Sequence, residues 1–122
     1  MKIIKSEQVV CVDVDDTLIL WDKKIKIKSI LVKDPYMNKL IKVKPHYAHI
    51  QLLKEKKLRG CTVIVWSQGG YKWAETIVKV LKLENYVDLI LSKPIVIIDD
   101  LPASKWLGER IYINPNSAYK QL

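Results

Sequence analysis

Carboxylates gather at the ends of apolar runs in this chain, and the chemistry they could do comes first. In VVCVDVDDTLIL (9–20), Asp13, Asp15 and Asp16 fall within four positions. Charges so close together repel, and partial burial makes the repulsion worse. A second acidic pair, Asp99 and Asp100, closes the run IVIIDD (95–100), with Lys93 shortly before it. A third run, CTVIVW (61–66), ends at Ser67, Gln68 and two glycines. If these ends meet, a hard divalent cation and a lysine would neutralise the carboxylates. An all-oxygen ligand set without His or Cys suits Mg²⁺ rather than zinc.

The elements that must position these groups are legible from pattern. The stretch 9–14 reads as a continuous apolar strand of a parallel sheet covered on both faces. Lysine and isoleucine then alternate over 24–32, and KLIKVK follows at 39–44 beyond DPYMN, which predicts a β-hairpin around an Asp-Pro turn. Pro45 opens a helix through Leu58, and Gly60 ends it. Residues 61–66 form a second buried strand. A helix over about 71–83 places Ala74, Ile77, Val78 and Leu81 on one face. YVDLILSKP and IVIIDD predict third and fourth strands, a helical turn falls near 102–108, and RIYIN a last strand. Strands alternating with helices predict an α/β fold, a Rossmann-like, mostly parallel sheet flanked by helices. In such sheets ligands bind beyond the carboxyl ends of the strands, where the acidic pairs, Ser67 and Lys93 fall.

With that order in place, DVDDTL (13–18), VIVWSQGG (63–70), Lys93 in LSKP and IIDD (97–100) resemble the four motifs of the haloacid dehalogenase (HAD) superfamily of phosphohydrolases. The resemblance runs from residue 9 to about 103. It implies Asp13 as the nucleophile that takes the phosphoryl group, and Asp15 as the acid that protonates the leaving alcohol and then activates water. An acid at position 15, where relatives that only transfer phosphate to themselves carry threonine, favours ester hydrolysis. Thr17, Ser67, the Gln68 N–H and Lys93 would form the phosphate-binding set, with Lys93 offsetting negative charge. Thr17 would steady the turn and bond Asp13. Mg²⁺ would be held by Asp13, the Asp15 carbonyl and Asp100, with Asp99 as a ligand or its neighbour. Asp16 belongs to the turn. Lys93 precedes Asp99 by six residues, where many relatives place a helix.

The spacing also leaves no room for the cap domain many relatives carry. Only a hairpin flap, at about 22–44, follows the first motif, and only a helix and a strand separate the second from the third. An open crevice admits a bulky phosphate ester, such as a nucleotide, a nucleic-acid end or a protein side chain, and IIDDLPAS (97–104) is similar to the fourth motif of capless protein serine phosphatases.

Composition sets the outer bounds. The 122 residues suit one domain, and 49% hydrophobic with 28% charged residues are ordinary for a folded, soluble chain. No apolar run approaches a membrane span and the first residues lack a secretory signal, so a cytoplasmic protein without a membrane partner is expected. Cys11 and Cys61 sit in strand-like runs and are expected to be buried thiols without a disulfide partner. The net charge of +8 would attract phosphorylated or polyanionic partners. It therefore also fits an alternative, a nucleic-acid-binding or regulatory protein without turnover. Trp21 and Trp73 flank the motif loops and could stack on a base, although packing is the commoner use of tryptophan. His46 and His49, one helical turn apart, are read as a surface helix face.

Overall fold

The computed structural model describes residues 8–116. At its centre lies a parallel sheet of three strands: β1 (Val9–Asp13), β5 (Thr62–Ser67) and β6 (Leu89–Ser92), in the order β1-β5-β6. β5 is the middle strand. Its Val63 and Val65 are fully buried, as a strand with neighbours on both sides and helices against it must be. Val9 pairs with Thr62 and Asp13 with Trp66, while Trp66 in turn lies opposite Leu91. Because all three strands are parallel, Asp13, Ser67 and Ser92 end at the same edge.

Helices α1 (Tyr47–Leu58) and α2 (Tyr71–Val80) provide the crossovers that parallel neighbours require. α2 buries Ala74, Ile77 and Val78 of the predicted stripe, together with Trp73; it ends at Val80, before the expected residue 83, so Leu81 is its C-cap. α1 begins two residues later than expected, because Pro45 is still the last residue of a strand. Its end is as expected, with Gly60 in the left-handed region at φ 94°.

The hairpin forms, but later than the alternation suggests. β3 (Ile30–Lys33) and β4 (Leu40–Pro45) pair antiparallel, and the short β2 (Ile19–Leu20) joins the other side of β4. Residues 24–28 make no strand. The Lys44 ammonium donates to the carbonyls of Asp22, Lys23 and Ile25, and so gathers this stretch into a turn. At the hairpin tip the Asp34 carboxylate accepts from the N–H groups of Tyr36 (2.8 Å) and Met37 (3.2 Å), which makes an Asx turn.

Two expected strands are corrected. Residues 95–98 pair with no strand among the described residues; Ile95 is 89% exposed and Ile98 fully so. Four apolar residues in a row state that a segment could be buried, but not that an edge receives it. Residues 110–114 are likewise no strand, and Ile113 docks through its main chain onto α1. Cys61 is buried, but Cys11 is exposed because β1 lies at the sheet edge; both described cysteines are free thiols. No helix among the described residues is long and apolar enough to cross a membrane.

Candidate functional site

The turn after β1 is tightly wound. The Val14 carbonyl accepts from the N–H groups of Thr17 (3.2 Å), Leu18 (2.9 Å) and Ile19 (3.2 Å). Asp16 takes a left-handed conformation, φ 57°, and its carboxylate accepts from Trp21 N–H at 3.2 Å. It serves the turn, as the sequence indicates. Val14 and Leu18 are fully buried and anchor the turn in the core, so Asp13, Asp15 and Thr17 are presented from a fixed base.

Asp13 lies between two groups. Lys93 Nζ sits 3.9 Å from Oδ1, and the Thr17 hydroxyl donates to Oδ2 at 3.4 Å. Lys93 is placed by the sheet itself, since its N–H donates to the Ser67 carbonyl at 2.9 Å just beyond the end of β6. The lysine therefore reaches the first acid directly from the end of β6.

Asp15 is held differently. Its Oδ1 accepts from two indole N–H groups, Trp21 at 2.9 Å and Trp73 at 3.2 Å. The two indoles stack, with ring centroids 6.3 Å apart and planes 20° from parallel. Sequence reasoning offered these tryptophans as base-stacking or packing groups and missed that both point their single donor at one carboxylate. Residue types alone carry no such signal, because Trp73 lies far along the chain from Asp15.

Ser67 is fully buried, and its Oγ accepts from Gly69 N–H at 3.0 Å. Its hydroxyl thus shapes the loop that presents the exposed Gln68. Gly70 is favoured by its φ of 99°, a conformation that side chains rarely adopt, and the Tyr36 hydroxyl reaches across to it from the hairpin tip.

Asp99 and Asp100 stand apart from this group. Both are exposed, and Asp99 accepts from Leu101 N–H at 3.0 Å within its own turn. That N–H, followed by hydrogen bonds from Asp100, holds the Asp99 carboxyl below its ordinary range. Among the described residues no group of three or more His, Cys, Asp or Glu side chains is placed to hold a metal ion. Asp13 and Asp15 remain an oxygen-only pair on one turn. This suits Mg²⁺, which binds through one or two carboxylates and keeps several waters.

His46 and His49 are no surface face. They are buried, at 1% and 4% exposure, and their rings stack 3.7 Å apart. His46 Nε2 meets the Ile113 carbonyl at 2.8 Å, while Ile113 N–H donates to His49 Nε2 at 2.8 Å. His49 Nδ1 lies 2.7 Å from the carbonyl of Thr17. Burial, the largest influence, lowers the His49 pKa; the Thr17 bond opposes it and the neighbouring His46 adds to it. The pair ties the segment at Ile113 to the turn that carries the acids.

Compared with known proteins, the chain matches no protein-family model, no curated protein and no solved structure.

Proposed function

We propose that the chain is a Mg²⁺-dependent phosphomonoesterase of the HAD kind, uncapped and working through a phosphoryl group carried on Asp13. One observation carries the reading: Asp13 at the end of β1 and Lys93 beyond the end of β6 approach to 3.9 Å at the carboxyl edge of a parallel sheet, with Asp15 two residues on. A purely structural turn has no need of a second acid whose oxygen is oriented by two indoles.

In this reaction an Asp13 oxygen attacks phosphorus, the P–O bond to the alcohol breaks, and Asp15 gives the departing oxygen its proton. Asp15 then takes a proton from the water that cleaves the aspartyl-phosphate. With Oδ1 committed to the indoles, Oδ2 is the oxygen left to carry that proton. Lys93 stabilises the charge that grows on the phosphoryl oxygens, and Gln68 N–H adds a donor from the loop that Ser67 orders. Asp13 and the Asp15 carbonyl would hold Mg²⁺; the resemblance also assigns Asp100 and Asp99 to it, but these two stand apart from the pair in the structure. Bound there, the ion would screen the anionic nucleophile from the anionic ester. Only β2–β4 and α1 lie between the first turn and β5, and only α2 and a short 3-10 turn between β5 and β6, which supports a crevice without a cap.

A second reading, a nucleic-acid-binding protein without turnover, is favoured by the net charge of +8. The deciding experiment is phosphate release from nucleotides, oligonucleotide ends, sugar phosphates and phosphopeptides with Mg²⁺, for the wild type and Asp13→Asn. Release that is lost in the folded variant supports the phosphatase. Equal release from Asp13→Asn overturns the nucleophile. No release from any ester, together with steeply salt-dependent nucleic-acid binding, establishes the second reading.

A further inference from the structure

A cleft of about 220 Å³ opens directly beside Asp15, and the phosphatase reading does not by itself account for its lining. Trp21 and Trp73 form one side and Tyr36 another, while Asp34, Ile41 and Gly69 complete it. Both indole N–H groups are spent on Asp15, so the rings are held in orientation, and with Trp73 buried the face open to a ligand is that of Trp21. Trp21 stays 42% exposed. Tyr36 extends from the hairpin tip until its hydroxyl closes on Gly70. Aromatic groups from three separate elements thus border one small space.

Its polar equipment is selective. Asp34 Oδ1 is used by the turn, accepting from Tyr36 and Met37 N–H, whereas Oδ2 has no hydrogen-bond partner among the described residues. Asp34 lines the cleft, and this solvent-accessible carboxylate oxygen can accept from a ligand with an N–H edge. The volume lies below the roughly 300–1,000 Å³ of sites for drug-sized ligands, so a single ring system fits and the rest of the ligand must run out over the surface. The chain between Trp21 and Ile41, which supplies much of the lining, is rich in exposed lysine: Lys23, Lys24, Lys26, Lys28, Lys33 and Lys39. Aromatic faces set among lysines are how single-stranded nucleic acid is held.

We infer that this cleft binds the nucleobase of the nucleotide bearing the scissile phosphate, with the ring against the Trp21 indole and Tyr36 and an amino or imino N–H donated to Asp34. The inference rests on the phosphatase reading for the position of the phosphate beside Asp13 and Asp15. Base binding itself is independent of turnover.

The test is binding to the full chain carrying Asp13→Asn, followed by tryptophan fluorescence and calorimetry. The ligands are the four mononucleotides, ribose 5-phosphate, phosphotyrosine and terminally phosphorylated oligonucleotides. Nucleotides should quench fluorescence and bind at least tenfold more tightly than ribose 5-phosphate or phosphotyrosine. Tyr36→Ala and Asp34→Asn lie on an exposed turn. The asparagine keeps an oxygen for that turn while replacing the free acceptor by an amide donor. Each should weaken nucleotide binding about fivefold or more while leaving ribose 5-phosphate unchanged. Oligonucleotides that bind more tightly than mononucleotides only at low salt would identify a strand end as the source of the base; equal affinities at all salt concentrations would identify the free nucleotide. Ribose 5-phosphate binding as tightly as nucleotides, a preference for phosphotyrosine, or no effect of either substitution overturns the inference. Base-selective binding by a wild type that releases no phosphate would refute the phosphatase and leave the cleft's role intact. Turnover without base selectivity would do the reverse.

Discussion

Lowering the pH should loosen the segment at Ile113 from the acid-bearing turn through His49. The hydrogen-bond network fixes the tautomers. His49 Nδ1–H donates to the Thr17 carbonyl and the bare Nε2 accepts from Ile113 N–H, so protonating Nε2 sets two N–H groups against each other. The facing groups are the His46 ring, whose Nδ1 accepts from His49 main-chain N–H at 3.3 Å, and the edge of Tyr112, 5.1 Å from the His49 ring. The His49 pKa is lowered from an ordinary 6.5, so below that pH the unfolded chain binds a proton that the folded chain refuses. Stability is therefore full above 6.5 and falls as the pH drops toward the folded-state pKa, then levels off. The slope is at most about 1.4 kcal/mol per pH unit for one such group. His49→Asn keeps an amide donor for Thr17 but removes the titrating ring. Urea midpoints of both proteins at about pH 8 and about pH 5.5 isolate the effect, because every other titration is shared. The wild type should lose more stability than the variant over that range, with a slope no steeper than that limit. Parallel losses in both proteins would refute the coupling.

Three other expectations follow from the same geometry. Lys93 and Asp13 are both partly exposed at 3.9 Å, so Lys93→Met should change stability by less than about 1 kcal/mol yet lower kcat about 100-fold on any accepted ester; unchanged kcat would remove Lys93 from the site. Mg²⁺ affinity, measured by calorimetry, should fall at least about tenfold in Asp13→Asn and in Asp100→Asn if both are ligands, since even outer partners of a metal cost that much when lost; full affinity in Asp100→Asn would strike it from the ligand set. Ile77→Ala, at a fully buried position on α2, should cost about 2–5 kcal/mol, whereas Ile98→Ala should stay within about 0.5 kcal/mol because Ile98 is in solvent. A loss above about 2 kcal/mol at Ile98 would show that residues 95–98 are core after all.

What the sequence disclosed, and what it withheld, divides along a physical line. β1, β5 and α2 were legible because their signals are local: apolar runs with turn residues behind them, and a 3.6-residue stripe ending in Ile77 and Val78. The convergence of Asp13 and Lys93 was also within reach, because parallel strands must end at one edge. Residues 95–98 show where this reasoning stops. Apolar composition reports a capacity for burial, while strand formation depends on a partner edge elsewhere in the chain. The histidines failed in the opposite direction. A pair at i and i+3 without a third ligand resembles a solvated face, and only the distant main chain of Ile113 turns it into a buried clamp.

The same distinction bears on the site's design. Asp13 is placed by the sheet register, and a polar partner 3.9 Å away suffices to balance it. Asp15 lies past the end of that register, on a turn containing a residue with φ 57°, where no ladder of backbone bonds constrains its side chain. Two indole donors from different parts of the chain do so instead. An acid that must deliver a proton to one particular oxygen gains from such fixation, since misplacement by about 1 Å can cost a hundredfold in rate. The same two rings then wall the adjoining cleft, so Asp15, the proposed proton donor, and the base proposed for the cleft would be held against one aromatic pair. Replacing Trp73 by Phe should therefore disturb both functions together, lowering turnover and base selectivity in one step. If only one of them changed, Asp15 and the cleft would have to be supported independently.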